Sequence, residues 1–283
     1  SIVKSDTYNI IYLKKYFLFS SIFLLIFFIP IIFYGEQFYV FRGNYWDNFN
    51  YLSSALLFNN YSFLEVESLK YVKNFSNFQS IDLIINYRPF INYLLSIFLN
   101  IKIIDIFLIN FLFKVFLSII NFLAFISFLT IFKNINEKRR ILLSFVFSFS
   151  FFSFYIFEIE ALSHLGSISL FLISIKYLYL LKLKTKKNLI KNSLYLSILS
   201  AALFIIYPEI FIIYMIVLFS YLIAEHPFFY LRKNIQNYLY FLLFFMLLTM
   251  SSYELNYKFV IQQVSQALRP NIDWWGYYGA FII

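Results

Sequence analysis

The sequence predicts an all-α, polytopic membrane protein with about seven to eight transmembrane helices. Two interfacial amphipathic helices are expected in its first outer loop. Three observations predict this. Of 283 residues, 62% are hydrophobic and 13% charged, with a mean hydropathy of +0.76, whereas a soluble domain is about 45–50% apolar and about 25% charged. The apolar residues fall in runs close to the roughly 20 needed to cross a bilayer at 1.5 Å per residue. The Lys and Arg residues gather in the connections between those runs. This balance excludes soluble enzymes, disordered tails and basic nucleic-acid binders. The net charge of +9 therefore marks loops facing the cytoplasm, not a nucleic-acid partner. With no Cys and two His, disulfides, thiolate nucleophiles and Cys-ligated zinc are absent, and a His-rich metal centre has no basis.

The expected spans are residues 16–34, 106–132, 141–157, 161–181, 192–207, 209–224 and 238–253, with an eighth starting near Gly276. The first has 19 residues, longer than a signal-peptide core of about 7–15, and no small-residue cleavage site follows it. The chain starts at Ser1 without Met and stops within an apolar run, Phe281-Ile282-Ile283. It reads as one transmembrane domain over 1–283, the N-terminal part of a longer protein.

Loop charge sets the topology. Lys4, Lys14 and Lys15, then four basic residues in 133–140, five in 182–191, and Arg232 with Lys233, all lie inside if the N-terminus is cytoplasmic. An odd number of crossings must then separate Gly35 from Lys133. The 13-residue run 89–101 is thereby left in the outer interface. Inner segments hold 14 basic and 3 acidic residues, and outer segments hold 7 and 11. Orientation rules largely ignore acids, so eleven of fourteen carboxylates on one side point to chemistry at the outer face.

The outer loop, 35–105, has its own order. In 46–58, Phe49, Leu52 and Leu56 fall on one helical stripe, and Asp47 sits in the first turn, where the helix dipole favours a carboxylate. A polar stretch follows over 59–80. Arg88-Pro89 then opens the second interfacial helix, with Pro at a tolerated first-turn position.

One crossing, a long outer loop with two interfacial helices and then six crossings resembles the conserved module of GT-C glycosyltransferases. These are integral-membrane enzymes that use a polyprenyl-phosphate-linked sugar, such as protein O-mannosyltransferases, lipid A aminoarabinose transferases and oligosaccharyltransferases. The segment Asp47-Asn48-Phe49-Asn50-Tyr51-Leu52 is similar to the family's acid and Tyr-containing apolar stretch. Arg88-Pro89-Phe90-Ile91-Asn92-Tyr93-Leu94-Leu95 is similar to its second helix, and Glu158-Ile159-Glu160 stands where some branches carry an acidic pair. The chain differs in having Asn48 where a second acid is frequent, and Glu-x-Glu in place of Asp-x-Asp. The resemblance implies inverting transfer of a sugar from a polyprenyl-phosphate donor to a glycan, lipid or protein acceptor. The setting is the outer face of a bacterial or archaeal plasma membrane, in cell-surface glycan assembly.

On that reading Asp47 is the catalytic base that deprotonates the acceptor hydroxyl; the alternative is an acid that stabilises its helix N-terminus. Glu158 and Glu160 bind the acceptor or a Mg²⁺ or Mn²⁺ ion, which prefer oxygen ligands, or else end a helix in solvent. His164 lies four residues past Glu160 and shares its face if helix continues there. Tyr207-Pro208-Glu209 joins two 16-residue runs that reach only about 24 Å each, so the turn dips below the surface, where a Glu needs a wet cavity or a partner. Arg88 and Lys114, with Lys102 and Arg269 behind them, are candidates for the donor phosphate; snorkelling to headgroups is their plain alternative. Asp273-Trp274-Trp275 reads as an interfacial aromatic belt. The rival functions are a lipid-linked oligosaccharide flippase or other transporter, which should carry ionisable residues near mid-membrane, a polysaccharide polymerase, and an assembly subunit without chemistry.

Overall fold

The computed structural model describes residues 18–22, 24–29, 32–33, 35, 46–62, 65, 89–101, 104–150, 153, 162–182, 186–225 and 228–250. For 46–50, 89, 181–182, 186–189, 209, 222–225 and 228–237 it describes the backbone path. The described residues are helical, with no strand. In chain order the helices are α1 (Trp46–Asn60), α2 (Pro89–Leu99), α3 (Ile106–Leu129), α4 (Glu137–Ser148), α5 (Leu162–Lys182), α6 (Lys186–Ile206), α7 (Pro208–Glu225) and α8 (Phe228–Thr249).

Two stretches are long and apolar enough to cross a membrane: Ile106–Leu129, which is α3, and Leu162–Leu180 of α5. Shorter apolar helices cover Leu18–Ile29, Phe90–Leu99, Ile190–Ile206, Ile210–Tyr221 and Tyr238–Thr249. Helix therefore forms at each expected run that the described residues cover. The eighth run lies outside them.

One run differs in extent. Expected as a span over 141–157, α4 stops at Ser148 after 12 residues, about 18 Å. The sequence at its end, Ser148-Phe149-Ser150-Phe151-Phe152-Ser153, explains this. Ser153 Oγ donates to the Phe147 carbonyl at 2.8 Å, and the Ser153 amide donates to Ser150 Oγ at 3.3 Å. Serine hydroxyls thus take over groups that a continuing helix would use. At the other end Asn136 accepts from the Arg139 amide at 2.9 Å, an N-cap worth about 1 kcal/mol.

Helix directions follow from contacts at known heights. Lys176 on α5 reaches Ser127 near the end of α3, so α3 and α5 run parallel. His164 in the first turn of α5 meets Tyr207 just after α6, so those two are antiparallel. Phe204 of α6 packs on Phe211 of α7 and Ser200 on Tyr214, again antiparallel. Ser197 and Phe204 of α6 pair with Phe241 and Phe245 of α8, which are parallel to it. From α5 to α8 the chain reverses at each step.

The core has two parts. One joins α1, α2, α3, α4 and the start of α5, with Phe27 beside them; the other joins the far half of α5 to α6, α7 and α8. Serines mark the contacts of the second: Ser193, Ser197 and Ser200 are fully buried on α6. Ser197 Oγ lies 2.8 Å from the Ser193 carbonyl and 2.9 Å from the Phe241 carbonyl. Small hydroxyl residues let backbones approach closely. Outward faces are apolar instead: Leu142, Leu143 and Val146 on α4, Ile212, Ile213, Ile216 and Phe219 on α7, Leu239, Leu243, Met246 and Leu247 on α8 are all exposed. Even α2 buries Asn92 and Ser96 beside Ile91, Leu95 and Leu99 while exposing Phe90, Tyr93, Ile97 and Phe98.

In the polar stretch after α1, the Ser62 amide donates to Glu65 Oε2 at 2.6 Å and the Glu65 amide donates to Ser62 Oγ at 3.4 Å, a reciprocal capping box. The Ser62 amide holds the Glu65 carboxyl below the usual glutamate range. A depressed folded value means that the cap is complete above the unfolded pKa and is lost as pH falls through the folded one. The Ser62 amide shift followed by NMR should titrate with a midpoint below that of an ordinary glutamate, and a midpoint at the ordinary value would remove the cap.

Candidate functional site

The segments singled out in the sequence meet at one end of the bundle. Tyr51, one turn after Asp47 on the same face of α1, donates to Ser163 Oγ at 3.1 Å. The next residue, His164, places Nε2 2.6 Å from the Tyr207 hydroxyl, with the rings 4.3 Å apart and inclined at 57°. With Nε2 unprotonated the phenol donates; in the imidazolium the ring donates.

Local sequence explains each position. Ser163 and His164 stand in the first turn of α5, where backbone N–H groups have no intrahelical acceptor and the dipole is positive. Tyr207 is the single residue between α6 and α7. Its amide donates to the Leu203 carbonyl at 2.9 Å and its carbonyl accepts from the Phe211 amide at 3.1 Å, so it closes one helix and opens the next. Pro208 follows as the first residue of α7, a position that needs no N–H, and its ring disfavours helical geometry at Tyr207. The chain reverses there with Tyr207 buried at 6% exposure. Glu209 is the second residue of α7, as Asp47 is of α1, so both residues fall in a first helical turn, the end at which the helix dipole is positive.

Gly166, one turn past Ser163, lets α2 and α6 close on α5. A Cβ there would lie 3.3 Å from Ile91 Cδ1 and 3.8 Å from Ile206 Cγ2.

Lys114 belongs to the same level. It stands 13 residues before Ser127, and Ser163 stands 13 before Lys176. On parallel helices joined at the Lys176–Ser127 contact, both lie about 20 Å from that contact. Lys114 is 4% exposed, with its ammonium 5.9 Å from the Phe111 ring centroid, within reach of a cation–π attraction. Asn110, Lys114, Ser118 and Asn121, all buried, fall within an arc of about 80° at 100° per residue. A polar stripe thus runs down the inside of α3.

Of the residues predicted from sequence, the structure brings His164 and Tyr207 together and sets Lys114 at their height. Asp47 and Glu209 are placed by backbone alone. Arg88, Glu158 and Glu160 lie outside the described residues, as do Lys102, Arg269 and the Asp273-Trp274-Trp275 segment. The metal reading of Glu158 and Glu160 falls there too. Among the described residues no group of three or more metal-ligating side chains occurs. Sequence reasoning missed the Tyr51–Ser163 bond, the packing of Ile91 and Ile206 over Gly166, and the α3 stripe. Only the last had a readable signal, polar residues at helical spacing in an otherwise apolar run. No family model, curated protein or solved structure matches the chain.

Proposed function

We propose that the chain is a polytopic membrane glycosyltransferase of the GT-C type, crossing the bilayer seven or eight times. It moves a sugar from a polyprenyl-phosphate donor to a glycan, lipid or protein acceptor at the outer face of the plasma membrane. The observation that carries this is the meeting of three separate segments at one end of the bundle, through Tyr51–Ser163 and His164–Tyr207. Each segment also brings acids near that end in sequence: Asp47, Glu158 with Glu160, and Glu209. The alternating helix directions and the apolar outer faces support lipid surroundings.

In the reaction, Asp47 takes the acceptor hydroxyl's proton as its oxygen attacks the anomeric carbon. The bond from that carbon to the phosphate oxygen breaks on the opposite side, so configuration inverts. Polyprenyl phosphate leaves with the electron pair. Lys114 or Arg88 offsets the charge on the leaving phosphate, and His164 with Tyr207 orients the acceptor. Glu158 and Glu160 hold the acceptor or a divalent cation.

The test is a vesicle assay with a radiolabelled polyprenyl-phosphate sugar. Label should be consumed only when donor faces the lumen of inverted vesicles, which corresponds to the outer side. Equal consumption from either side, or none across a panel of donors and acceptors, would overturn the assignment.

A second reading has an observation of its own. A buried lysine about 12 Å into α3, within a polar stripe, suits a lipid-linked oligosaccharide flippase. Movement of a labelled lipid across the bilayer, without cleavage of its phosphate–sugar bond, would favour it over transfer.

A further inference from the structure

At the end of the bundle away from His164, the ammonium of Lys176 is half-buried between α5 and α3 and donates to Ser127 Oγ at 2.8 Å. Among the described residues no carboxylate lies within 4.0 Å of it. A lysine has three donors and no acceptor, so a single hydroxyl leaves its charge uncompensated, and burying such a charge inside a membrane bundle is costly without a counter-charge. Ser127 is two residues from the end of α3, where the partial charge of the helix is negative. That offsets part of the cost, but the carbonyls there already have takers: the Ser127 carbonyl accepts from the Thr130 hydroxyl at 2.7 Å and from the Thr130 amide at 3.3 Å.

The surroundings add cations. Lys133, in the connection that follows α3, is exposed, as are Lys138 and Arg139 in the first turn of α4. Arg140 directs its guanidinium to the Phe132 carbonyl at 3.5 Å. Glu137 is the one described acid in that region. On α3 itself Leu123, one turn before Ser127 on the same face, and Phe116 further along it are exposed. A positive rim above an apolar wall fits a molecule with an anionic head and hydrocarbon tails.

We propose that Lys176 and Ser127, between α3 and α5 and beside the basic turn at 133–140, form a binding site for the phosphate headgroup of an anionic phospholipid of the inner leaflet. The phosphate oxygens take the two donors that Ser127 leaves open, and the acyl chains lie along Leu123 and Phe116, the exposed apolar residues on the Ser127 side of α3. The site is about 18 Å along α5 from His164 and separate from the transfer chemistry. It rests on the membrane reading but not on the sugar-transfer reading.

The experiment uses the full chain in nanodiscs of phosphatidylcholine doped with spin-labelled phosphatidylglycerol or spin-labelled phosphatidylcholine. The wild type should hold the anionic lipid preferentially. Lys176→Gln should lower that preference about fivefold, the order expected for one basic residue at an anionic surface, while Lys176→Arg should retain it. Ser127→Ala, which frees a donor, should preserve or strengthen it. Equal association of the two labelled lipids with the wild type, a measurement that needs no variant to fold, would overturn the proposal. So would an unchanged preference in Lys176→Gln. If millimolar inorganic phosphate displaces the label completely, the site is one for a soluble anion and the lipid assignment falls. Release of the chain from membranes by carbonate wash would instead defeat the membrane reading, a result distinct from retention without lipid preference.

Discussion

Asp47→Asn is expected to reduce sugar transfer by about 10²–10⁴-fold, the usual contribution of a positioned general base, with expression and membrane insertion unchanged. Asn keeps the size and gives up only the charge–dipole stabilisation of an N-terminal acid, about 0.3–1 kcal/mol, too little to disturb insertion or folding. The two roles therefore separate in one measurement. A base loses its function because an amide cannot accept the proton, while a helix-end acid loses little. Asp47 stands one turn before Tyr51, whose hydroxyl ties α1 to Ser163 beside His164. Turnover within a few-fold of wild type would remove Asp47 from the mechanism, and a fall in both yield and turnover would return it to a structural role. Tyr51→Phe is the companion variant: it loosens α1 from α5 without touching the carboxylate, so a base at position 47 predicts a smaller loss than in Asp47→Asn.

Gly166→Leu is expected to have the largest effect on the fold. Ala already brings a carbon to 3.3 Å from Ile91 Cδ1, a distance relieved by a small turn of that flexible side chain. Leu adds three further carbons in a gap bounded by Ile91 of α2 and Ile206 of α6, and overpacking of a filled core costs about 1–3 kcal/mol or more. The sites affected are those that hold α2 and the α6–α7 turn against α5, so the His164–Tyr207 contact should part as well. Thermal unfolding in detergent should show a lower midpoint for Leu than for Ala. Ile91→Val removes Cδ1 itself and should restore part of the Leu loss in the Gly166→Leu/Ile91→Val double variant. If Gly166→Leu unfolds like wild type, α2 and α6 do not close on α5 as described.

Why these residues, and not others, were legible beforehand has a physical answer. Composition and run length were sufficient for an all-helical chain, because an apolar run of this length has little choice but to satisfy its backbone internally. Tyr207-Pro208-Glu209 was readable as a helix reversal, because Pro carries its own backbone rule. The early end of α4 was not, because apolar periodicity registers no stop at Ser148; the stop comes from hydroxyls that compete for carbonyls. The capping box at Ser62-Phe63-Leu64-Glu65 has a sequence signature that a polar stretch conceals among similar residues.

By itself the sequence determined helix content and the lengths of the two apolar stretches, in α3 and α5, that could cross a membrane, since each depends on local chemistry. Only the tertiary structure decided that Tyr51 meets Ser163, that His164 meets Tyr207, and that Lys114 shares their height while Lys176 reaches Ser127. Those pairs are separated by 112, 43 and 49 residues where they bond directly. Contacts at such distances depend on which faces of neighbouring helices fit together, and almost uniformly apolar helices present many faces of similar hydrophobicity. Small residues and buried hydroxyls choose among them, and their effect exists only once the helices are packed.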